Sequence, residues 1–199
     1  MSRLILIRHA EPVDDAHGVC YGSLDFGLSP AGREHARRIV TALDDIAYGA
    51  VYASPRCRAR ETAEPLAVAR GIDVAVDDDL REIDFGDFEG RRYEEIEAAE
   101  PELYRTWMES PTTVRFPGGE SYADVSVRAL RAFERIRTAH QCAVVVTHGG
   151  VIRAGLAAWL AMPGDAIFRL GQSYGGLTVV DWLEDVPLVR VMNSESVPR

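Results

Sequence analysis

The 199 residues, of which 47% are hydrophobic, are enough to bury one sizeable core, so we expect residues 1–199 to form a single domain. The formal net charge of −9 argues against nucleic acid and membrane partners, because both present negatively charged surfaces. All 22 basic residues are arginine, which excludes lysine Schiff bases and P-loop lysines and leaves arginine for any anion chemistry.

The three cysteines are odd in number and far apart in the chain, which indicates reduced thiols rather than a disulfide framework or a zinc site. The apolar run at 4–7 lies between Arg3 and Arg8 and is too short for a signal peptide or a membrane span. We therefore expect a cytoplasmic protein.

Short β-rich runs alternate with helical patterns in the first part of the chain. Residues 4–7 predict a strand, and Ser29 as N-cap with Pro30 at the first helical position predicts a helix after it. Further along, the pattern predicts a strand at 50–54, a helix from Pro55 to Gly71 and a third strand at 72–76.

The second part begins with an irregular stretch, 77–119, which contains short helical pieces such as 91–100. We expect residues 85–120 to form a cap over the active site. A capping box at Ser121 and Asp124 then predicts a long amphipathic helix. The remaining predicted elements are a buried strand ending in a glycine turn at 143–150, a helix at 151–162, and an antiparallel pair of strands at 175–183 and 187–192. This order predicts a three-layer α/β/α sandwich with a mostly parallel central sheet.

Three strand-to-helix junctions each carry a histidine or an arginine. The first strand ends in Arg8 and His9, the strand at 50–54 leads to Arg58, and the strand at 143–147 leads to His148. Ligands of parallel α/β sheets bind beyond the carboxyl ends of the strands, where helix N-termini attract anions. One such residue is more often a solvated loop side chain, but recurrence at three junctions favours an anion pocket that contains a nucleophile.

Five sequence blocks resemble those of the histidine phosphatase family, the phosphoglycerate mutase-like group, and they occur in that family's order. The blocks are LILIRHAEP at 4–12, SPRCRARETA at 54–63, LREIDFGDFEG at 80–90, FPGGESY at 116–122 and VVVTHGGVIR at 144–153. The resemblance spans residue 3 to about residue 194, and implies a phosphoglycerate mutase-like fold and a phosphoric monoester hydrolase.

The resemblance also implies roles for individual residues. His9 would be the nucleophile that becomes phosphohistidine. The phosphoryl oxygens would be held by Arg8, Arg58 and His148, and the leaving group would be protonated by Glu82. Two nearby guanidinium groups disfavour a charged imidazole, so the residues that bind substrate would also keep the nucleophile neutral. Fixed arginines can neutralise phosphoryl charge, so we expect no metal and no other cofactor.

The chain departs from the family in the first loop. Ala10 stands where the family usually has glycine, and its methyl group would narrow the pocket or shift the backbone N–H. Asp14 and Asp15 stand where many members have asparagine. A carboxylate facing a phosphate is unfavourable, so we expect these side chains to point elsewhere or to bind a basic part of the substrate. Asp84 and Asp87 remain alternatives to Glu82 as the acid.

Substrate specificity is expected to lie in the loop at 11–24 and in the cap. The candidate substrate-binding residues, beside the two arginines and His148, are Tyr21, Gly149, Arg115 and Glu120. Trp107 has two interpretations: it contacts the substrate, or it is a packing residue that anchors the cap.

We expect the substrate to be a small phosphorylated metabolite, and several functions of the protein remain open. Details such as YRTW at 104–107 resemble the α-ribazole phosphatases, which makes α-ribazole 5'-phosphate one candidate. A phosphoglycerate mutase, a general sugar- or nucleotide-phosphate phosphatase, and a catalytically inactive phosphate-binding module are the alternatives, and a homodimer is one possible assembly.

Two competing motifs fit less well. GQSYG at 171–175 matches a serine-hydrolase nucleophile elbow, but a strand rather than a helix follows it, and no histidine lies after His148. DDDL at 77–80 is similar to the paired aspartates of magnesium-dependent phosphatases, but Arg81 occupies the next position.

Overall fold

The structure, a computed structural model, describes residues 1–197. Its strands are β1 (Ser2–Arg8), β2 (Ala50–Ala53), β3 (Val74–Val76), β4 (Cys142–Thr147), β5 (Leu177–Leu183) and β6 (Val186–Ser194). Its α-helices are α1 (Pro30–Ala42), α2 (Cys57–Arg70), α3 (Tyr93–Ala99), α4 (Pro101–Glu109), α5 (Tyr122–Ala139) and α6 (Gly149–Trp159).

The six strands form one sheet in the order β3-β2-β4-β1-β5-β6. The first four strands in this order are parallel to one another, whereas β5 is antiparallel to β1 and β6 is antiparallel to β5. The prediction of a mostly parallel sheet with an antiparallel pair at one side is confirmed. The parallel part sets the carboxyl ends of β1, β2 and β4 along one edge.

Helices cover both faces of the sheet, because the side chains of the strands alternate between two apolar cores. Leu4 and Leu6 belong to the core that also contains buried residues of α5 and α6. Ile5 and Ile7 belong to the core that also contains buried residues of α1 and α2. The three-layer α/β/α arrangement is therefore confirmed.

The helix caps follow the sequence signals. The Ser29 hydroxyl accepts a hydrogen bond from the backbone N–H of Gly32 at the start of α1, and Ser121 with Asp124 forms the capping box of α5. The bounds differ elsewhere. α2 begins at Cys57 instead of 55, and β3 begins at Val74 instead of 72, since residues 71 and 72 still donate to carbonyls of the last turn of α2.

Helix α4 was not named in the prediction for 77–119, an irregular stretch with short helical pieces such as 91–100; the helix at 91–100 corresponds to α3. Helix α4 is stabilised by packing of one side chain, Trp107, which is buried and contacts the rings of Phe85, Tyr93, Tyr104 and Phe116. Of the two readings of Trp107, the structure therefore supports a packing residue. The pattern of a short helix held by one aromatic anchor is weak in the sequence because it repeats over only two turns.

The segment 85–120 is joined to the loop that precedes α1. The Glu89 carboxylate accepts hydrogen bonds from the backbone N–H groups of Gly22, Ser23 and Leu24. The segment thereby holds the loop that contacts the arginines described below, and its role as a cap stays a prediction. The three cysteines are free thiols, and no helix within residues 1–197 is both long and apolar enough to cross a bilayer.

Candidate active site

The carboxyl ends of β1 and β4 bring two histidines together. Arg8 pairs with Thr147 in the parallel ladder, so the next residues, His9 and His148, leave the sheet side by side. Their ring centroids are 5.1 Å apart in an edge-to-face arrangement. Both side chains are almost wholly buried.

A hydrogen bond sets the tautomer of His9. Its Nδ1 lies 2.8 Å from the carbonyl oxygen of Ala10. Because a carbonyl oxygen only accepts, Nδ1 carries the hydrogen and Nε2 carries the lone pair. The same turn is tied to α2, since the Ala10 N–H donates to the Thr62 hydroxyl, which donates in turn to the carbonyl of Arg58. The imidazole therefore offers a nucleophilic nitrogen in a fixed direction.

The surroundings keep both imidazoles neutral. Burial, followed by the charges of Arg58 and Arg8, holds the pKa of His9 well below its ordinary value of 6.5. The pKa of His148 is likewise well below 6.5, because of burial first and then the charges of the arginines, Arg58 before Arg8 and Arg128. A neutral imidazole is the form that can attack an electrophile.

These lowered pKa values predict a pH-dependent loss of stability. In the unfolded chain His9 and His148 bind protons near pH 6.5, whereas in the folded chain they do so only at lower pH. Below pH 6.5 the unfolded state therefore holds more protons than the folded state. As the pH is lowered through this range, the free energy of unfolding should decrease by about 1.4 kcal/mol per pH unit for each histidine.

Urea unfolding at pH 7.5, 6.5 and 5.5 measures this effect. In the His9→Gln/His148→Gln double variant the decrease between pH 6.5 and 5.5 should be much shallower than in the wild type. Parallel pH profiles for the wild type and the double variant would contradict the assignment of neutral, buried histidines.

Arg58 is fully buried at the start of α2. Three of its five N–H groups donate to the carbonyl oxygens of Tyr21, Gly22 and Leu24. Its Nε–H is buried and has no partner within residues 1–197. Burial lowers the pKa of this guanidinium from its ordinary value. The first loop thus holds one end of the guanidinium and leaves other donors for a ligand.

Arg8 is held more loosely. In the part of the chain that the structure describes, its side chain makes one hydrogen bond, from a terminal nitrogen to the carbonyl oxygen of Gln172 at 2.5 Å. Among the same residues, neither the buried Nε–H of Arg8 nor the buried Nδ1 atom of His148 has a partner. Unsatisfied buried N–H groups are costly, so their presence around His9 fits a site that binds an anion.

Glu82 contacts the N-terminus of α6. One carboxylate oxygen accepts from the backbone N–H of Gly150 at 3.2 Å, and the other accepts from the N–H of Ile83. A Cβ atom at Gly150 would lie 2.3 Å from the carboxylate, so this approach requires glycine. Since Gly150 is two residues after His148, the carboxylate lies at the edge of the two-histidine site.

The two alternative acids lie elsewhere. Asp84 accepts a hydrogen bond from the backbone N–H of Gly86, and Asp87 is exposed with its carboxylate beside Gly118. Of the three candidate acids, Glu82 is the one that contacts α6.

Two predicted substrate-binding residues are engaged in other contacts. Arg115 is largely exposed and pairs with Asp124 at the start of α5. Glu120 forms ion pairs with Arg81 and with the buried Arg128. The pairs with Asp124 and Arg128 attach the segment 85–120 to α5, and a substrate-binding role of Arg115 and Glu120 stays a prediction. Tyr21 and Gly149, by contrast, lie beside the arginines.

The unusual residues of the first loop face away from the histidines or into solvent. The Ala10 methyl group packs with Leu28 and Ala36 in a small apolar cluster, so it does not narrow the pocket. Asp14 and Asp15 form a single exposed turn of 3₁₀-helix.

Two site residues were missed from the sequence although they stand inside the blocks that carry the family resemblance. Ser54 is fully buried, and its hydroxyl lies 2.7 Å from Nε2 of His148. Arg153 donates from Nε to the carbonyl oxygen of Leu170, and one of its terminal nitrogens would lie 3.2 Å from a Cβ placed at Gly149. The sequence blocks contain both residues, but only the fold shows which atoms they contact.

Tyr174 is a further site residue, which the sequence pattern indicated only as part of the GQSYG motif. The ring centroid of Tyr174 lies 4.0 Å from the Arg8 guanidinium carbon and 5.5 Å from the His9 ring centroid. Its hydroxyl lies 3.0 Å from that of Tyr21. A cavity of 320 Å³ opens on this side, lined by Arg8, Ala16, His17, Gly18, Val19, Tyr21, Tyr93 and Tyr174.

This arrangement of two histidines and two arginines can be compared with known proteins. The profile of the Histidine phosphatase superfamily (branch 1) matches residues 4–195. The chain belongs to this superfamily. The resemblance inferred from the five sequence blocks is thus confirmed.

Relatives and solved structures of the superfamily match almost the whole chain. Phosphoserine phosphatase 1 of Hydrogenobacter thermophilus is 33% identical over 195 residues, which are 97% of this chain and 92% of the relative. The adenosylcobalamin/alpha-ribazole phosphatase of Escherichia coli is 28% identical over 197 residues, or 98% of this chain and 97% of the relative. The structure of Bacillus stearothermophilus YhfR has a TM-score of 0.92 at 30% identity and covers 100% of this chain and 98% of that chain. The histidine phosphatase is therefore an enzyme, a phosphoric monoester hydrolase.

Proposed function

We propose that this histidine phosphatase hydrolyses small phosphomonoesters through a phosphohistidine at His9 and without a metal ion. The observation that carries the proposal is the state of His9. Its imidazole is buried and neutral, with Nδ1–H bonded to the Ala10 carbonyl and the Nε2 lone pair available beside Arg8 and Arg58. A free lone pair next to two guanidinium groups suits attack on a bound phosphoryl group.

In the first step, Nε2 of His9 attacks phosphorus opposite the leaving oxygen. The N–P bond forms as the P–O bond breaks, and the electron pair stays on the leaving oxygen, which takes a proton from Glu82. Arg8 and Arg58 neutralise the charge on the equatorial oxygens. Fixed cations in a buried site do this with little reorganisation.

In the second step, a water oxygen attacks the phosphorus and Glu82 takes one of its protons. The N–P bond breaks, its electron pair returns to Nε2 of His9, and inorganic phosphate leaves. His148 contributes a hydrogen bond in both steps. The Ser54 hydroxyl accepts from the backbone N–H of Arg56 and lies 2.7 Å from Nε2 of His148. In the tautomer that this mechanism requires, the Ser54 O–H donates to Nε2 and leaves the Nδ1–H of His148 for a phosphoryl oxygen.

The substrate is a small phosphorylated metabolite, and α-ribazole 5'-phosphate is our leading candidate. The similarity to an enzyme named adenosylcobalamin/alpha-ribazole phosphatase over nearly the whole chain supports it. The 33% identity to an enzyme named phosphoserine phosphatase 1 makes phosphoserine its main competitor.

A screen of α-ribazole phosphate, phosphoserine, sugar phosphates, nucleotides and 3-phosphoglycerate tests the leading candidate. We expect the highest kcat/KM for α-ribazole phosphate. Another compound of the screen with a kcat/KM at least tenfold higher would replace α-ribazole phosphate as the candidate substrate. Transfer of the phosphoryl group to a second hydroxyl in place of water would identify a mutase.

Chelation tests the metal-independent mechanism. With p-nitrophenyl phosphate, excess EDTA should leave kcat and KM within about twofold of their values without chelator, because arginine supplies the positive charge. The matched control is a magnesium-dependent phosphatase treated in the same way, which should lose activity. Loss of activity in EDTA and its recovery on adding Mg²⁺ would contradict the mechanism and favour the aspartate-based alternative at 77–80.

The three free thiols support a reducing compartment, so we place the enzyme in the cytoplasm.

A further inference from the structure

The two guanidinium groups of the site are linked by a pair of tyrosines. The Arg8 guanidinium carbon lies 4.0 Å from the ring centroid of Tyr174, and that of Arg58 lies 4.8 Å from the ring centroid of Tyr21. The hydroxyl oxygens of the two tyrosines are 3.0 Å apart. An arginine, two tyrosines and a second arginine thus form one continuous series of contacts, which we call the tyrosine bridge.

The tyrosine bridge has the geometry of two cation–π contacts joined by a hydrogen bond. Both guanidinium carbons lie within about 6 Å of a ring centroid, the range in which the ring quadrupole attracts a cation. Burial raises the pKa of the Tyr21 hydroxyl, so this hydroxyl keeps its proton at neutral pH. The contacts therefore persist at the pH at which the histidines are neutral.

The backbone around Tyr174 is fixed against the end of β1. The N–H of Gly175 donates to the carbonyl oxygens of Arg8 and His9, and the carbonyl of Gln172 accepts from the Arg8 side chain. Gly175 adopts a φ of +69°, a conformation that suits glycine. The ring of Tyr174 is consequently held at a set position relative to Arg8.

The two arginines depend on this bridge to different degrees. Arg58 has three hydrogen bonds to loop carbonyls in addition to the ring of Tyr21. Arg8 has one hydrogen bond, to Gln172, so the ring of Tyr174 supplies much of what orients its guanidinium plane. Removal of the Tyr174 ring should therefore affect the site more than removal of either hydroxyl.

We propose that Tyr21 and Tyr174 are positioning residues, which hold the guanidinium groups of Arg8 and Arg58 so that both contact the same phosphoryl group. This inference rests on the proposed function and extends it. The bridge acts on the charge that stabilises the transition state, where the equatorial oxygens need donors in fixed directions.

Among substitutions within the tyrosine bridge, Tyr174→Leu has the largest expected effect. It removes the ring from Arg8, and kcat/KM for p-nitrophenyl phosphate should fall by about tenfold, mainly through kcat. Inhibition by vanadate, which resembles the transition state in shape, should weaken by a similar factor. Tyr174→Phe keeps the ring and should recover most of this loss. Circular dichroism checks that each variant is folded.

Two double-variant cycles separate positioning from a structural role. In an Arg8→Ala background, Tyr174→Leu should reduce kcat/KM by less than twofold, because the residue through which Tyr174 acts is gone. Tyr21→Phe and Tyr174→Phe remove the same hydrogen bond. The kcat/KM of the double variant should therefore be no lower than that of the less active single variant. The matched control is Tyr52→Phe, whose hydroxyl contacts His140 instead of the site and whose loss should leave kcat/KM unchanged.

Binding of inorganic phosphate provides a readout that needs no turnover. Calorimetry should show weaker phosphate binding in Tyr174→Leu than in the wild type, with no further effect in the Arg8→Ala background. Absence of turnover in the wild type together with this pattern would overturn the proposed function and support the bridge. Normal turnover with unchanged vanadate and phosphate affinities in Tyr174→Leu, or an equal loss in the Arg8→Ala background, would overturn the bridge.

Discussion

In the His9→Ala variant, kcat for hydrolysis of p-nitrophenyl phosphate is expected to fall by a factor of at least about 10⁴, because the variant lacks the atom that accepts the phosphoryl group. A water molecule cannot easily take over the attack on phosphorus. Nε2 of His9 is held in a buried site, and its direction is set by the hydrogen bond between Nδ1 and the Ala10 carbonyl, whereas a water molecule has no such fixed orientation. Steady-state kinetics with a sensitive release assay measures the loss.

Phosphate binding distinguishes a missing nucleophile from a damaged fold. Arg8, Arg58 and His148 remain in the variant, so its affinity for inorganic phosphate should stay within a few fold of the wild type. The control is His140→Gln, because this histidine lies at the end of α5 and contacts Tyr52. A His9→Ala enzyme with more than a hundredth of wild-type kcat would show that another group attacks phosphorus.

The second large effect is expected from Glu82→Gln, which keeps the size of the side chain but removes its proton-transfer capacity. For alkyl phosphates kcat/KM should fall by about 10² to 10⁴, because an alkoxide leaves poorly without a proton. For p-nitrophenyl phosphate the loss in kcat/KM should be much smaller, since this phenolate leaves without help. Its kcat should still fall, because Glu82 also activates the water of the second step.

The other two carboxylates of the same block provide matched controls. Asp84→Asn and Asp87→Asn change the charge nearby but not the contact with Gly150 at the start of α6. Both variants should keep a wild-type ratio between alkyl and aryl substrates. Equal losses for both substrate types in Glu82→Gln, or a selective loss in either aspartate variant, would contradict the acid role of Glu82.

Much of the fold could be predicted from the sequence because its signals are local and periodic. The run at 4–7 alternates between two cores, and Ser29 and Ser121 cap long amphipathic helices, so patterns of a few residues determine the elements. The convergence of His9 and His148 was also predictable, because parallel strands bring their carboxyl ends to one edge.

Contacts between distant segments could not be predicted in the same way. Tyr174 lies on Arg8 although 166 positions of the printed sequence separate them, and the residue types alone do not specify which tyrosine stacks on which arginine. Glu120 has the charge of a ligand-binding residue, yet its burial against Arg128 makes it an ion-pair partner within the fold. Such outcomes depend on the packing of side chains, which a single sequence does not determine.

The central claim is a covalent bond between phosphorus and Nε2 of residue 9. Glu82→Gln, mixed with radiolabelled p-nitrophenyl phosphate and quenched in alkali, which preserves phosphohistidine, should retain label because its second step is slow. Mapping by proteolysis and mass spectrometry should place the phosphoryl group on the peptide containing His9, with acid releasing it. Label on a serine, an aspartate or a cysteine, or turnover without any trapped label in this variant, would contradict the mechanism.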